Sequence, residues 1–209
     1  YELDRYLQGR STERLGEQPL LRSEGQGYIH YQKGSVVMMA IKDRLGEDRL
    51  NANLKAFNER YRYRNDPFPT TLDLVSYLSQ NTMAEEKAFI EDLFNNITLY
   101  DLRVKDAKVT ELADGKFQLN LILHADKLVA DEKGVETTQA LAEQIDIGVF
   151  SVDPDQTSGE SGVIYLKKHQ LTTGENSIEL VLDKKPLYVG VDPFVRLIDR
   201  DGADNIRKL

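Results

Sequence analysis

The spacing of apolar positions changes partway along the chain. Up to about residue 97 they recur at intervals of three and four: Leu3, Tyr6 and Leu7; a run from Tyr31 to Leu45; Leu50, Leu54, Phe57 and Tyr61; Leu74, Val75 and Leu78; and Phe89, Ile90, Leu93, Phe94 and Ile97. Each group forms a stripe on one face of a helix, so this stretch predicts a short helix followed by four more. Gly46 is placed to stop the second helix, because glycine tolerates the left-handed conformation at a helix end. Glu47 and Asp48 then open the third, and Arg60, Arg62 and Arg64 load its far end, matching the macrodipole at both ends. The segment NDPFP breaks the chain, and Thr70 with Asp73 three residues later predicts a capping box. Between the first two helices, Ser11 to Gly27 is polar and aperiodic and reads as a long loop.

Beyond Asn96 the period becomes two. In KFQLNLILHA, Phe117, Leu119, Leu121, Leu123 and Ala125 alternate with polar partners, as a half-buried strand requires. Comparable runs occur at LYDLRVKDAKVTEL, EQIDIGVFSV, SGVIYLKKHQL, NSIELVLD and PLYVGVDP, separated by Asp/Gly, Ser/Gly and Thr/Gly turn signals. The pattern predicts an α+β chain of two domains: an α-helical segment over residues 1–97 and an antiparallel, immunoglobulin-like β-sandwich over residues 98–209.

Composition narrows the functional classes. A formal charge of −8 without any long basic block argues against a nucleic-acid or anionic-membrane surface. The absence of cysteine removes disulfides, thiolate metal sites and a cysteine nucleophile. No apolar run approaches the length of a membrane span, so the chain is expected not to be membrane-inserted. It opens on YELDRYLQGR, with no Met and no N-cap residue ahead of the first helical stripe, as expected of a chain cut inside a longer protein.

The histidines, His30, His124 and His169, are scattered, and there is no H-E-x-x-H, P-loop, dinucleotide fingerprint or serine elbow. His124 falls on the polar side of its strand, and His169 stands beside two lysines. Two acidic loops, DPDQTSGESG from Asp153 and DRDGADN from Asp199, have glycine displaced from the calcium-loop position and read as turns. No metal site is expected within these residues. One polar cluster remains, YIHYQKG at Tyr28 to Gly34, leading into an apolar helix. Its tyrosines could pack at a helix start with satisfied hydroxyls. A phenol, protonated at neutral pH, could instead donate to a developing oxyanion. Spacing leaves both open.

YIHYQKGSVVMMAIKDRLGEDRLNANLKAFNERYRYR, followed by PTTLDLVSYL, resembles the zinc aminopeptidases of the aminopeptidase N and leukotriene-A hydrolase type, downstream of their zinc site. The likeness covers roughly residues 1 to 97: a Tyr-x-Lys-Gly motif opens a helix, a Leu-Gly-acidic break follows, then a helix ending in aromatic and basic residues, then a Thr-Thr-x-Asp-Leu start. YIHYQKGS, PFPTTLDL, DLFNNITLYDLR and the tail VGVDPFVRLIDRDGADNIRKL further resemble the C-terminal end of bacterial proteins in which an ABC-type permease is fused to such a peptidase.

The resemblance implies that Tyr31 is the catalytic tyrosine whose hydroxyl stabilises the tetrahedral intermediate, that Tyr28 and His30 line the substrate cleft, and that Lys33 and Gly34 are structural. Gly34 would permit close backbone approach, and Lys33 would be paired nearby. Zinc would belong to the full-length parent, held by the upstream half of the same polypeptide. That parent would be a membrane-tethered aminopeptidase of the bacterial inner membrane acting on peptides, with this part on the periplasmic side and inactive alone. The β domain would be the family's accessory sandwich. The same residues also fit a non-catalytic interaction or scaffold module of an ABC transporter permease.

Overall fold

The computed structural model describes residues 1–64, 66–156 and 162–209; Asn65 of the NDPFP break and positions 157–161 of the first acidic loop lie outside the described residues. The chain is α+β, with five α-helices followed by two antiparallel sheets. It divides into two compact units, Tyr1–Thr98 with Val129–Glu136, and Leu99–Leu128 with Thr137–Leu209. The excursion at 129–136 belongs with the helices, although its residues lie within the stretch read from sequence as strand domain.

In the first unit the helices are α1 (Glu2–Ser11), α2 (Gly34–Leu45), α3 (Glu47–Tyr61), α4 (Thr71–Leu78) and α5 (Ala84–Asn95). Gly46 stops α2 with φ of 84°, a conformation that costs glycine little. At the start of α4, the Asp73 carboxylate accepts from the Thr70 N–H at 2.7 Å and from the Thr70 hydroxyl at 2.8 Å, and it also takes the Tyr61 hydroxyl at 2.9 Å. The capping signal in the sequence therefore fixes both the helix start and its distance from the end of α3. Phe89, Ile90, Leu93 and Phe94 of α5 are buried. Ile97, in phase with that stripe, instead begins the first strand, because the helix ends at Asn95 and Asn96 is already extended.

Among the described residues there are eight strands: β1 (Ile97–Glu111), β2 (Phe117–Ala130), β3 (Glu136–Gln139), β4 (Ala142–Phe150), β5 (Val163–Thr172), β6 (Gly174–Leu182), β7 (Tyr188–Val191) and β8 (Ile206–Lys208). One sheet runs β1-β2-β3 with β6 also on β2, and the other runs β5-β4-β7-β8. Leu119 pairs with Leu180 and Leu121 with Ile178, while Ile147 sits between Lys167 and Val191. Leu119, Leu121, Leu123 and Ala125 are buried, as period two requires, and so are Ile145, Ile147 and Val149 of β4. No helix among the described residues is long and apolar enough to cross a membrane.

Candidate functional site

Residues Tyr28 to Lys33 form a π-helical turn that leads directly into α2, upstream of the helix start expected from the apolar stripe. Single π turns occur often at functional sites. In this wider turn residues four apart fall close to the same face, so Ile29 and Lys33 both point inward and are fully buried. Tyr31, midway between them, is turned outward and is 68% exposed.

Burying a lysine requires a counter-charge, because an ammonium out of water is costly unless paired. The counter-charge comes from the loop between α1 and the π turn. Glu17 is 2% exposed. Its Oε1 receives the Tyr6 hydroxyl and lies 3.5 Å from Lys33 Nζ, while Oε2 accepts from Arg10 Nε at 2.7 Å. The Glu17 N–H donates to the Glu132 carbonyl at 2.9 Å, which ties the loop down. Arg10 also reaches Glu136 at 3.2 Å. The Lys33 ammonium sits 5.3 Å from the centre of the Tyr6 ring, within cation–π range. Burial lowers the Lys33 pKa, with the Glu17 charge opposing the shift. Burial and then the same carboxylate raise the Tyr6 phenol well above its ordinary value.

Tyr28 stacks on Tyr6 with ring centroids 6.2 Å apart. Its hydroxyl is buried, and burial, the Glu17 charge and the neighbouring Glu13 carboxylate raise its pKa. Tyr28 thus gives the site a ring rather than a free hydroxyl. Tyr31 lines an open groove of about 670 Å³ together with the Tyr28 ring, Gln32, and Arg5, Gln8 and Gly9 of α1. Its hydroxyl makes no hydrogen bond among the described residues. His30 is exposed and touches Tyr31 ring to ring at 4.4 Å, but it does not line the groove.

Gly34 corrects one expectation. Its φ of −57° and ψ of −42° are ordinary helical values, and an added Cβ would meet Ile29 O at 3.7 Å and Leu20 Cδ1 at 3.8 Å, which is normal contact. Close approach is instead the property of Gly9, where a Cβ would fall 2.5 Å from Tyr28 Cβ and 2.6 Å from Cγ. Only a residue without a side chain lets α1 lie against the π turn there. Gly9 and Glu17 were not singled out from sequence. Glu17 lies in an aperiodic loop, and Gly9 sits inside a helical stripe that gives no reason for it.

The remaining histidines are occupied elsewhere. His124 Nε2 lies 3.1 Å from Asp126 Oδ2, and His169 Nε2 lies 2.7 Å from the Tyr165 hydroxyl. Among the described residues no group of three or more His, Cys, Asp or Glu side chains is arranged to hold a metal ion. Chemically, the groove offers one outward phenol on a rigidly anchored turn. Compared with family models and with curated proteins, the chain matches none.

Proposed function

We propose that this chain is the C-terminal part of a membrane-tethered zinc aminopeptidase of the aminopeptidase N type, in which Tyr31 donates its hydroxyl hydrogen bond to the oxygen that becomes negative as a peptide carbonyl is attacked. The observation that carries this is the division of labour within one π turn. Lys33 is locked to Glu17 in the interior, while Tyr31, two residues earlier, stands exposed in an open groove. A donor aimed at a developing oxyanion is effective when its position is fixed before reaction, because no reorganisation is then needed at the moment of charge development.

Among the described residues no carboxylates and imidazoles are grouped as a zinc site. Metal would be held by the upstream half of the same polypeptide, and the work proposed for this chain is to bind and orient the substrate and to donate a hydrogen bond to the reacting oxygen. Lys33 and Arg10 hold Glu17, and Glu17 holds the loop against the turn that carries Tyr31. The strand unit is assigned to an accessory, immunoglobulin-like sandwich with a structural role. In this proposal the parent lies in the bacterial inner membrane with this part on the periplasmic side.

The test is Tyr31→Phe in the complete peptidase, with hydrolysis of N-terminal residues from short peptides followed at saturating and limiting substrate. Loss of one such donor lowers kcat by about a hundred- to a thousandfold. Full-speed cleavage by the variant overturns the assignment and leaves the scaffold-module interpretation.

A further inference from the structure

The groove beside Tyr31 has a charge that does not follow the rest of the chain. The protein carries −8 overall, yet the residues lining the groove include one cation, Arg5, and no carboxylate. Two helical faces build its walls. Arg5, Gln8 and Gly9 stand on one face of α1 at spacings of three and one, and Tyr28, Tyr31 and Gln32 repeat that spacing on the π turn. The missing side chain at Gly9 brings the two faces into contact through the Tyr28 ring.

Arg5 is exposed and makes no ion pair among the described residues; its guanidinium lies 5.5 Å from the centre of the Tyr1 ring. A guanidinium fork without a carboxylate partner, in a groove without competing acid, suits bidentate reception of a carboxylate. The Gln8 and Gln32 amides, one on each wall, carry both donors and acceptors and suit the N–H and C=O groups of an extended peptide.

We propose that Arg5 is the specificity-determining residue of this groove and selects peptides that present a carboxylate toward α1. The proposal rests on the peptidase assignment above and adds its substrate class. The carboxylate comes either from the C-terminus of a short peptide or from an acidic side chain, and both have the same chemistry at Arg5.

The experiment compares kcat/KM in the complete peptidase for two substrate pairs: peptides with a free or an amidated C-terminus, and peptides with Glu or Gln at an internal position. Wild type, Arg5→Met, Arg5→Lys, Arg5→Glu and Tyr31→Phe are run side by side. We expect wild type to favour the carboxylate member of one pair by about three- to tenfold, the range for a partly exposed guanidinium–carboxylate contact. Arg5→Met should remove that preference, Arg5→Lys should keep part of it, and Arg5→Glu should reverse it. The pair that responds identifies the source of the carboxylate. Ratios that stay the same in wild type, Arg5→Met and Arg5→Glu for both pairs overturn the proposal. Tyr31→Phe separates the two assignments: it should lower all rates and leave the ratios intact, so undiminished rates would refute the catalytic role instead.

Discussion

Glu17 and Lys33 are suited to a double-mutant cycle, because both are buried and 3.5 Å apart. At that separation and an effective dielectric of about 20, their gross attraction is about 5 kcal/mol, much of it offset by desolvation. Glu17→Gln keeps the shape but removes the charge that the Lys33 ammonium and the Arg10 guanidinium both need. Breaking one side of a buried pair costs about 3–5 kcal/mol, a large fraction of the stability of an ordinary domain. Lys33→Met should cost less, about 1–2 kcal/mol, since Glu17 still accepts from Arg10 and Tyr6. In the Glu17→Gln background the Lys33→Met change removes an uncompensated cation, so the double variant should be more stable than the sum of the singles by about 1–3 kcal/mol.

Urea unfolding followed by far-UV circular dichroism gives each corner of that cycle. The pH dependence supplies an internal check. Burial lowers the Lys33 pKa below its unfolded value, so between the two values the unfolded chain binds more protons and this group makes stability rise with pH. Tyr6 and Tyr28, with raised pKa values, make stability fall once pH passes the ordinary tyrosine value near 10. Lys33→Met should abolish the rise and leave the alkaline fall. A Glu17→Gln cost below about 1 kcal/mol with no coupling in the cycle would refute the idea that this buried pair anchors the turn.

Gly9→Ala should destabilise the helical unit by about 1–3 kcal/mol, as overpacking does, because the new methyl falls within 2.6 Å of Tyr28 Cβ and Cγ; thermal unfolding reads it, and a neutral variant would show that α1 can shift freely. In the strand unit, Asp192 is buried beneath two N–H donors, Arg196 and Leu197, both at 2.9 Å, and burial pushes its pKa up to about 7. A raised carboxylate contributes stability below its unfolded pKa and loses it as pH rises through the folded value, so wild type should weaken relative to Asp192→Asn by roughly 4 kcal/mol between pH 4 and pH 8. Denaturation at several pH values checks this, and a constant difference between the two proteins would refute it. Asp199, raised to about 6 by burial, adds a drift of the same sign that both proteins share.

What the sequence makes legible is local periodicity, and what it conceals is pairing across distance. Thr70 and Asp73 are three residues apart, and their capping contact can be read directly from the string. The alternation of Leu119, Leu121 and Leu123 announces its own burial. The short strands β3 and β8 escape because ETTQ and IRK are polar and largely exposed and carry no period, and the registers that define them belong to neighbouring strands. Glu17 and Lys33 are 16 positions apart, one of them in a loop, and apolar patterning counts both as surface residues.

That failure bears on the candidate site. The motif Tyr31-x-Lys33 can be read as a tyrosine for chemistry and a lysine for structure, but the string does not show the carboxylate that lets the lysine turn inward and so leaves the tyrosine outward. Helical spacing puts Ile29 and Lys33, four apart, on one inward face with Tyr31 opposite, and the π turn keeps that phase. That face is held inward by the buried carboxylate that the loop supplies. Substituting Glu17 should therefore disturb Tyr31 without touching it, which distinguishes an anchored donor from a tyrosine that is merely exposed.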